Sequence, residues 1–508
     1  MSAQLEQPRR VAPIQLAAAE PLLVAGWGPL VAVIAAGVTL GFFGWYALLV
    51  PTHKAVLVDL GLPLSIVAGT AAVVWAWIAY SRYFASRTGI LYQRSLQYDS
   101  LAWLSFVPLW LAFVLPLSFT AGGVRLFFYC FALFCIVKIA VAARFNMTVR
   151  DVTVDFIVTR FAIIVIAELA AVIIGQRAGT HVQESRNLLL AVWGRWDAVH
   201  YIDIATVGYH GTDMAFFPLY PMLVALLGGL IGNHLVAGLV ISNVALFFGL
   251  LYLYKLVEHE FDRTVARHAI FYISIFPTAI FFSAVYTESL FFMLTVASFY
   301  YMRERRWWMA GVIGFFAAMT RVEGVLLVVP FAIEWFMAHR TNLVGGLRDL
   351  IPVALIPLGI LLYMGYLWVL NGDPLYFTHV QVNWNRHFAA PWTAVINTVH
   401  KIQHATSPQT QANQVLELIF TALMIGVLIG GWKRLKPSYI AYMALSILVP
   451  MSTSSLMSMP RFALVLFPMF VILALWGRRP AVNNAIVAFS LPLLGLFTVL
   501  FADWYWVA

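Results

Sequence analysis

Long apolar runs recur from end to end of this chain, and they leave few architectures open. They lie at about 22–50, 56–80, 101–119, 123–143 and 156–175, and again at 235–256, 268–284, 287–302, 308–320, 322–339, 351–370, 413–431, 438–452, 460–476 and 481–501. A helix needs about 20 apolar residues to cross the ~30 Å hydrocarbon layer of a bilayer. Within that layer the backbone groups must be paired inside a helix or a closed barrel, and the runs lack the two-residue alternation of a barrel. The chain is 62% hydrophobic and 10% charged, against about 25% charged in a soluble domain. It therefore reads as an all-α polytopic membrane protein, which excludes a secreted disulfide scaffold and a disordered chain. The net charge of +9 could suit nucleic acid, but the basic residues fall in loops between runs. There they report topology and favour anionic membrane lipids, so no nucleic-acid partner is expected.

Two polar segments, 176–213 and 371–412, interrupt the runs. We place the N-terminus inside and let 214–231 lie along the interface instead of crossing. Inner loops then hold 20 of the 31 Lys and Arg, and outer loops hold 9. If 214–231 crossed, every later loop would flip and the positive-inside rule would invert. The count predicts about 15 transmembrane helices, a cytoplasmic N-terminus, and two long outer loops at 176–231 and 371–412. Residues 1–150 read as an N-terminal four-helix transmembrane extension of unknown role, and 151–508 as the main membrane domain. The expected location is the cell membrane, with the endoplasmic reticulum membrane as the alternative.

The densest polar constellation runs from Trp193-Gly-Arg-Trp-Asp197 through His200 and Tyr201 to Gly208-Tyr209 and Phe216-Phe217-Pro218-Leu219-Tyr220-Pro221. Asp197, His200 and Tyr201 fall at i, i+3 and i+4 and share one helix face. Tryptophans favour the membrane–water boundary, so Asp197 would sit there partly desolvated. The same spacing also suits an ordinary amphipathic surface helix. Glu288 and Arg321 each fall at the outer end of a run, where an intramembrane charge usually meets a cavity or a partner. Pairing with each other and contact with a substrate are both open to them. Arg461 is placed similarly, and Arg386 lies in the second outer loop beside Trp384. Glu168 lies inside a run with no assigned role. No Walker, dinucleotide or nucleophile-elbow motif is present.

The Trp196-Asp197 pair, Gly208-Tyr209 and Phe216–Pro221 resemble the signature of the PIG-V family, the GPI mannosyltransferase II proteins and their bacterial relatives. More pieces follow in order: Phe276-Pro277, Phe281–Ser289, Thr320-Arg321 and Arg461-Phe462. The resemblance covers about 155–500. It implies a GT-C-type glycosyltransferase bundle that moves a sugar, with mannose expected, from a polyprenyl phosphate donor to a lipid, glycan or protein acceptor on the non-cytoplasmic face. It also implies an acid in the first outer loop as catalytic base, a place that Asp197 matches. Trp196, His200, Tyr201, Tyr209, Glu288, Arg321, Arg386 and Arg461 become candidate substrate-binding residues. Some GT-C enzymes use a metal, but Ala198 and Val199 follow Asp197 where a second acid would stand, and Asp203 would need a fold-back to share an ion. The sequence thus supports neither a divalent metal nor any other cofactor.

A phosphate leaves without an acid to protonate it, whereas the acceptor hydroxyl needs a base within hydrogen-bond reach. The departing charge needs cations, and Arg matches phosphate bidentately. Arg321 and Arg461 are expected to meet the donor phosphate. The alternatives are a GT-C enzyme for another sugar, a non-catalytic scaffold subunit, or a lipid or solute transporter, although transporters place their sites near the midplane.

Overall fold

The computed structural model describes residues 121–174, 187–384 and 386–507. Two compact units divide at Gly123, and Val124–Ala508 holds almost all of the described residues. The spans expected at 22–50, 56–80 and 101–119 lie outside them, as do residues 176–186 of the first outer loop.

The described chain is helical, and no regular strand is present among these residues. In order the helices are α1 (Ala121–Phe145), α2 (Met147–Ile173), α3 (Asp197–Val207), α4 (Leu219–Ile231), α5 (His234–Glu260), α6 (Arg263–Ser274), α7 (Glu288–Arg303) and α8 (Trp307–Thr320). Then come α9 (Val328–His339), α10 (Leu355–Asn371), α11 (Pro391–Gln403), α12 (Pro408–Gly431), α13 (Pro437–Met451), α14 (Met459–Val465), α15 (Phe467–Trp476) and α16 (Pro480–Ala502). Among the described residues six helices are long and apolar enough to cross a membrane, and α14 with α15 makes a seventh if that pair, bent by 74°, counts as one span. Asn146, Asn233, Asp262 and Ser407 start α2, α5, α6 and α12 by accepting the backbone N–H three residues on, which satisfies a donor that the helix leaves open. The 13-residue α4 is about 20 Å long, short of the ~30 Å hydrocarbon layer.

Two expected spans are broken: the run at 460–476 by the bend between α14 and α15, and the run at 268–284 by an irregular segment. The run at 268–284 reads as a single helix, but α6 stops at Ser274. Pro277 has no N–H and its ring would clash with the carbonyl of Ile273. Residues 275–287 are irregular and wholly buried, with one 3-10 turn at Ala279–Phe282. Irregular backbone at membrane depth needs partners from elsewhere. Arg160 of α2 supplies them: Nη2 donates to Ser274 O at 2.7 Å, and Nη1 to Ala279 O at 2.9 Å and Ser283 Oγ at 3.3 Å. From the other side Thr278 Oγ1 donates to Pro460 O at 3.0 Å. This clamp sets where α7 begins, and so where Glu288 lies.

Helices approach closely where a glycine allows it. A Cβ at Gly311 of α8 would lie 2.4 Å from Pro352 O, so α8 and the entry to α10 can meet only without one. Small residues serve this purpose where lipid offers helices no hydrophobic drive to associate. Helices α7, α8 and α13 run between two distinct ends. At one end Glu260 meets Arg303 at 2.5 Å and Lys436 at 3.0 Å, and Arg303 reaches Glu334 at 2.6 Å. At the other end lie Glu288, Thr320 and the residues around Met451.

We expect Arg160→Met to leave the buried carbonyls of Ser274 and Ala279 without the donor that holds them. Thermal unfolding of the purified protein in detergent should then report a loss of at least ~3 kcal/mol, since each orphaned buried acceptor costs about 1–3 kcal/mol. An unchanged transition would remove the clamp from the account of the broken helix.

Candidate active site

The strip before α3 is unusual from its backbone up. Trp196 has φ 58° and ψ −123°, and α3 begins at the next residue, Asp197. A side chain rarely enters that region, and it costs about 1–3 kcal/mol. Tyr286 stitches the strip from beneath: its hydroxyl donates to Arg195 O at 3.0 Å and accepts the Asp197 N–H at 3.2 Å. The Val285 N–H donates to Trp193 O at 3.1 Å, and Trp193 Nε1 donates to Glu168 at 3.1 Å. Glu168, unassigned in the sequence, thus anchors the strip. Arg195 is fully buried, with Nη1 donating to Phe501 O at 3.4 Å. Burial pulls its guanidinium down to about 10, while Asp503 and Glu168 oppose the shift.

Arg461, near the start of α14, joins this strip to the membrane core. Its Nη1 donates to Asp197 Oδ2 at 2.7 Å, and its Nε and Nη2 donate to Glu288 Oε1 at 2.9 and 2.7 Å. The rings of Phe281, Tyr286 and Trp506 surround the guanidinium at 5.0, 4.9 and 5.7 Å. Arg321 brings a second guanidinium to the same carboxylate oxygen at 3.1 Å and sits 3.5 Å from Glu323. Glu288 is fully buried, whereas the Asp197 side chain is 23% exposed. One carboxylate is therefore sealed into the protein and the other faces outward.

Asp197 faces a cleft of about 560 Å³, lined also by Tyr201, Phe216, Arg321, Glu323, Trp384, Arg386, Arg461 and Trp506. Of the expected site residues, Asp197, Tyr201, Arg321, Arg386 and Arg461 line it, and Glu288 lies beneath Arg461. His200 stands behind the lining, stacked on Phe216 at 4.7 Å with Nδ1 2.7 Å from Asp213. Tyr209 is also set back and donates to Phe216 O at 2.9 Å. Trp196 packs against Trp504 and Trp506 at 5.7 and 5.4 Å. Arg386 differs from its two neighbours: Nη2 donates to Met457 O at 2.6 Å, and no carboxylate lies within ion-pair distance among the described residues. Burial lowers its pKa from the ordinary arginine value, and Arg461 adds to the effect.

Sequence reasoning missed Trp506 and the loop Ser452–Ser458, which supplies the Met457 carbonyl and lines the cleft. A Trp-rich segment after the last run was the available signal for the former. Asp203 does not fold back toward Asp197. It lies with His210 and Asp213, and the ligand atoms of these three fall within 4.8 Å of one another, close enough to hold a cation.

Glu288→Gln should lower stability by about 3–5 kcal/mol, because it removes the buried carboxylate that two buried guanidiniums share. Asp197→Asn, at a partly exposed position, should cost less than half as much. Chemical or thermal unfolding of the two variants side by side checks the order, and a larger loss for Asp197→Asn would reverse the assignment of buried anchor and open group.

The Mannosyltransferase (PIG-V) family model matches residues 140–342. The chain is 24% identical over 235 residues to GPI mannosyltransferase 2 of Schizosaccharomyces pombe, which covers 41% of this chain and 50% of that protein. It is 30% identical over 152 residues to GPI alpha-1,6-mannosyltransferase 2 of Mus musculus, covering 27% and 30%. The Yarrowia lipolytica GPI mannosyltransferase 2 is 27% identical over 215 residues, covering 39% and 59%. The chain thus spans about half the length, or less, of most of these relatives. The matched segment includes Asp197, Glu288 and Arg321, three of the charged groups that meet at the cleft, and in that segment the chain is similar to the PIG-V family and to the GPI mannosyltransferase II proteins.

Proposed function

We propose that this chain is a membrane mannosyltransferase of GT-C architecture, which moves mannose from a polyprenyl phosphate to an acceptor hydroxyl with inversion at the sugar carbon. The observation that carries the reading is the meeting of a partly exposed carboxylate, Asp197, with buried guanidiniums in one cleft. The names of the relatives support mannose as the sugar. The exposed apolar side chains of Phe388, Leu448 and Val449 at the cleft suit the hydrocarbon chain of the donor.

In the proposed reaction Asp197 takes the proton of the acceptor hydroxyl while its oxygen attacks the anomeric carbon. The bond from that carbon to the phosphate oxygen breaks, and its electron pair leaves with the phosphate. The fork of Arg461 is already filled by Asp197 and Glu288, and Arg321 holds Glu288 and Glu323. Arg386, which among the described residues donates to a carbonyl and meets no carboxylate, is therefore the guanidinium most ready to receive a phosphate. Trp384, Tyr201 and Gln381 offer ring faces, a hydroxyl and an amide to the sugar.

Depth supports a lipid-linked donor. Helices α7, α8 and α13 have 16, 14 and 15 residues, so about 21–24 Å separates the Glu260 cluster from the cleft. That is less than the ~30 Å hydrocarbon layer, which leaves the cleft floor below the boundary where a lipid phosphate sits. The basic-residue count supports a bundle of about 15 spans with the cleft on the outer face and the N-terminus in the cytoplasm.

Purified protein given polyprenyl phosphate mannose should release polyprenyl phosphate and glycosylate an acceptor. Asp197→Asn should lower that transfer by about 10²–10⁴, the usual loss of a general base, while donor binding survives. Transfer within tenfold of wild type would move the base elsewhere. Arg386→Ala should raise the donor KM by about 10–100-fold, the worth of a charge-assisted hydrogen bond, and an unchanged KM would unseat it. On intact cells a single cysteine at Thr406, with Cys130 and Cys135 replaced, should react with an impermeant thiol reagent. Labelling only after permeabilisation would invert the orientation.

A further inference from the structure

We infer that the segment after the last helix, through Trp504 and Trp506, is a strap that holds Trp196 in its left-handed backbone conformation and so positions Asp197. The inference rests on the reading of Asp197 as the base, and it adds two positioning residues and a mechanism for them. The observations are local and independent. Trp196 is one of four non-glycine residues with positive φ among the described residues, and it directly precedes Asp197. Its ring packs on both Trp504 and Trp506, with ring centres 5.7 and 5.4 Å away.

The strap is tied down at several points. Asn413 Nδ2 of α12 donates to Trp506 O at 3.3 Å. The guanidinium of Arg195, the residue before Trp196, lies 5.3 Å from the centre of the Trp504 ring. Trp506 also forms one wall of the aromatic cage around Arg461, the residue that grips Asp197 Oδ2. Two indoles thus act on both sides of the Asp197 carboxylate, on the strained peptide before it and on the cation that holds it. A strained conformation persists only where its surroundings over-determine it. Here Tyr286 fixes the peptide groups from beneath, and the strap covers the ring from the other side.

Strain and simple packing predict opposite orders for two substitutions. Trp196→Gly and Trp196→Ala both lose the ring, but glycine enters the positive-φ region freely and alanine does not. If the strap holds strain, Trp196→Gly should transfer mannose about tenfold faster than Trp196→Ala, in line with the cost of the left-handed region, and should unfold at a higher temperature. If the ring only fills space, alanine should equal or exceed glycine in both measurements, which would overturn the inference. The unfolding comparison needs no substrate. A wild-type protein that fails to transfer mannose therefore sinks the proposed function and leaves the strap testable.

Trp506→Ala supplies the second arm. Its kcat should fall at least tenfold with the donor KM within about threefold, since a positioning residue acts on the transition state and not on uniform binding. Trp506→Phe should recover most of the loss. A raised KM with unchanged kcat would make Trp506 a sugar-contacting residue instead, and an unchanged kcat would leave it no role. Should Trp506→Ala fail to fold, Trp506→Leu fills the space without an aromatic face and faces the same expected split and the same overturning results.

Discussion

One guanidinium holds the cleft together. Arg461 reaches a carboxylate from α3 and another from α7 while standing on α14, so three elements far apart in sequence close on a single side chain. Buried charges are costly to desolvate and stay in place only when paired with good geometry. Here all three kinds of donor nitrogen on Arg461 are used and three rings enclose its plane. The bend between α14 and α15 makes this possible. Leu466 leaves helical geometry, and Pro468 removes an N–H that a continuous helix would need. A straight helix in this place would point Arg461 along a different direction from the cleft.

A second guanidinium, Arg160, does related work with a different outcome. It binds backbone carbonyls, which cannot change charge or leave, so its place is structural. Arg461 binds two carboxylates, and one of them is open to the cleft. The same chemical group therefore serves as a fixed clamp at one site and as a partner with an exchangeable contact at the other. The difference lies in the acceptors and in their access, and not in the arginines themselves.

Much of the helical layout was legible because hydrocarbon admits few solutions. The runs at 235–256, 413–431 and 481–501 each fall within a helix of the structure, and α2 and α10 cover most of 156–175 and 351–370, because each must pair its own backbone. The break at Ser274 was hidden, since composition stays apolar through 275–287 and only Pro277 signals it. The relief comes from Arg160, 114 residues away. In the site, Asp197 stood out as an acid between tryptophans, and Glu288, Arg321 and Arg461 as charges at run ends. Their mutual pairing was legible only for Glu288 with Arg321. The Asp197–Arg461 contact spans 264 positions and leaves no local pattern. Arg386 was found as an outer-loop cation, but that it meets no carboxylate among the described residues is a property of the fold. His200 and Tyr209, which the helix-face and motif arguments proposed, lie near the cleft, yet their side chains support Phe216 from behind.

The charge balance of the cleft bears on how such a site would carry a reaction that relocates charge. Arg321, Arg386 and Arg461 face Asp197, Glu288 and Glu323, so the fixed groups are formally neutral before a donor arrives. In the proposed transfer Asp197 loses its negative charge as it takes the acceptor proton, and the leaving phosphate goes from one negative charge to two. The total does not change, and the charge moves across the cleft. Arg461 is bound to the group that is neutralised, and its Glu288 contacts keep it in place when that bond weakens. A preorganised cation that need not be desolvated during the step is worth far more in a buried cleft than in water. In that proposal the sealed carboxylate, Glu288, is as necessary as the open one: without it, protonation of Asp197 would leave Arg461 with no anchor at the moment when the phosphate needs a fixed positive charge nearby.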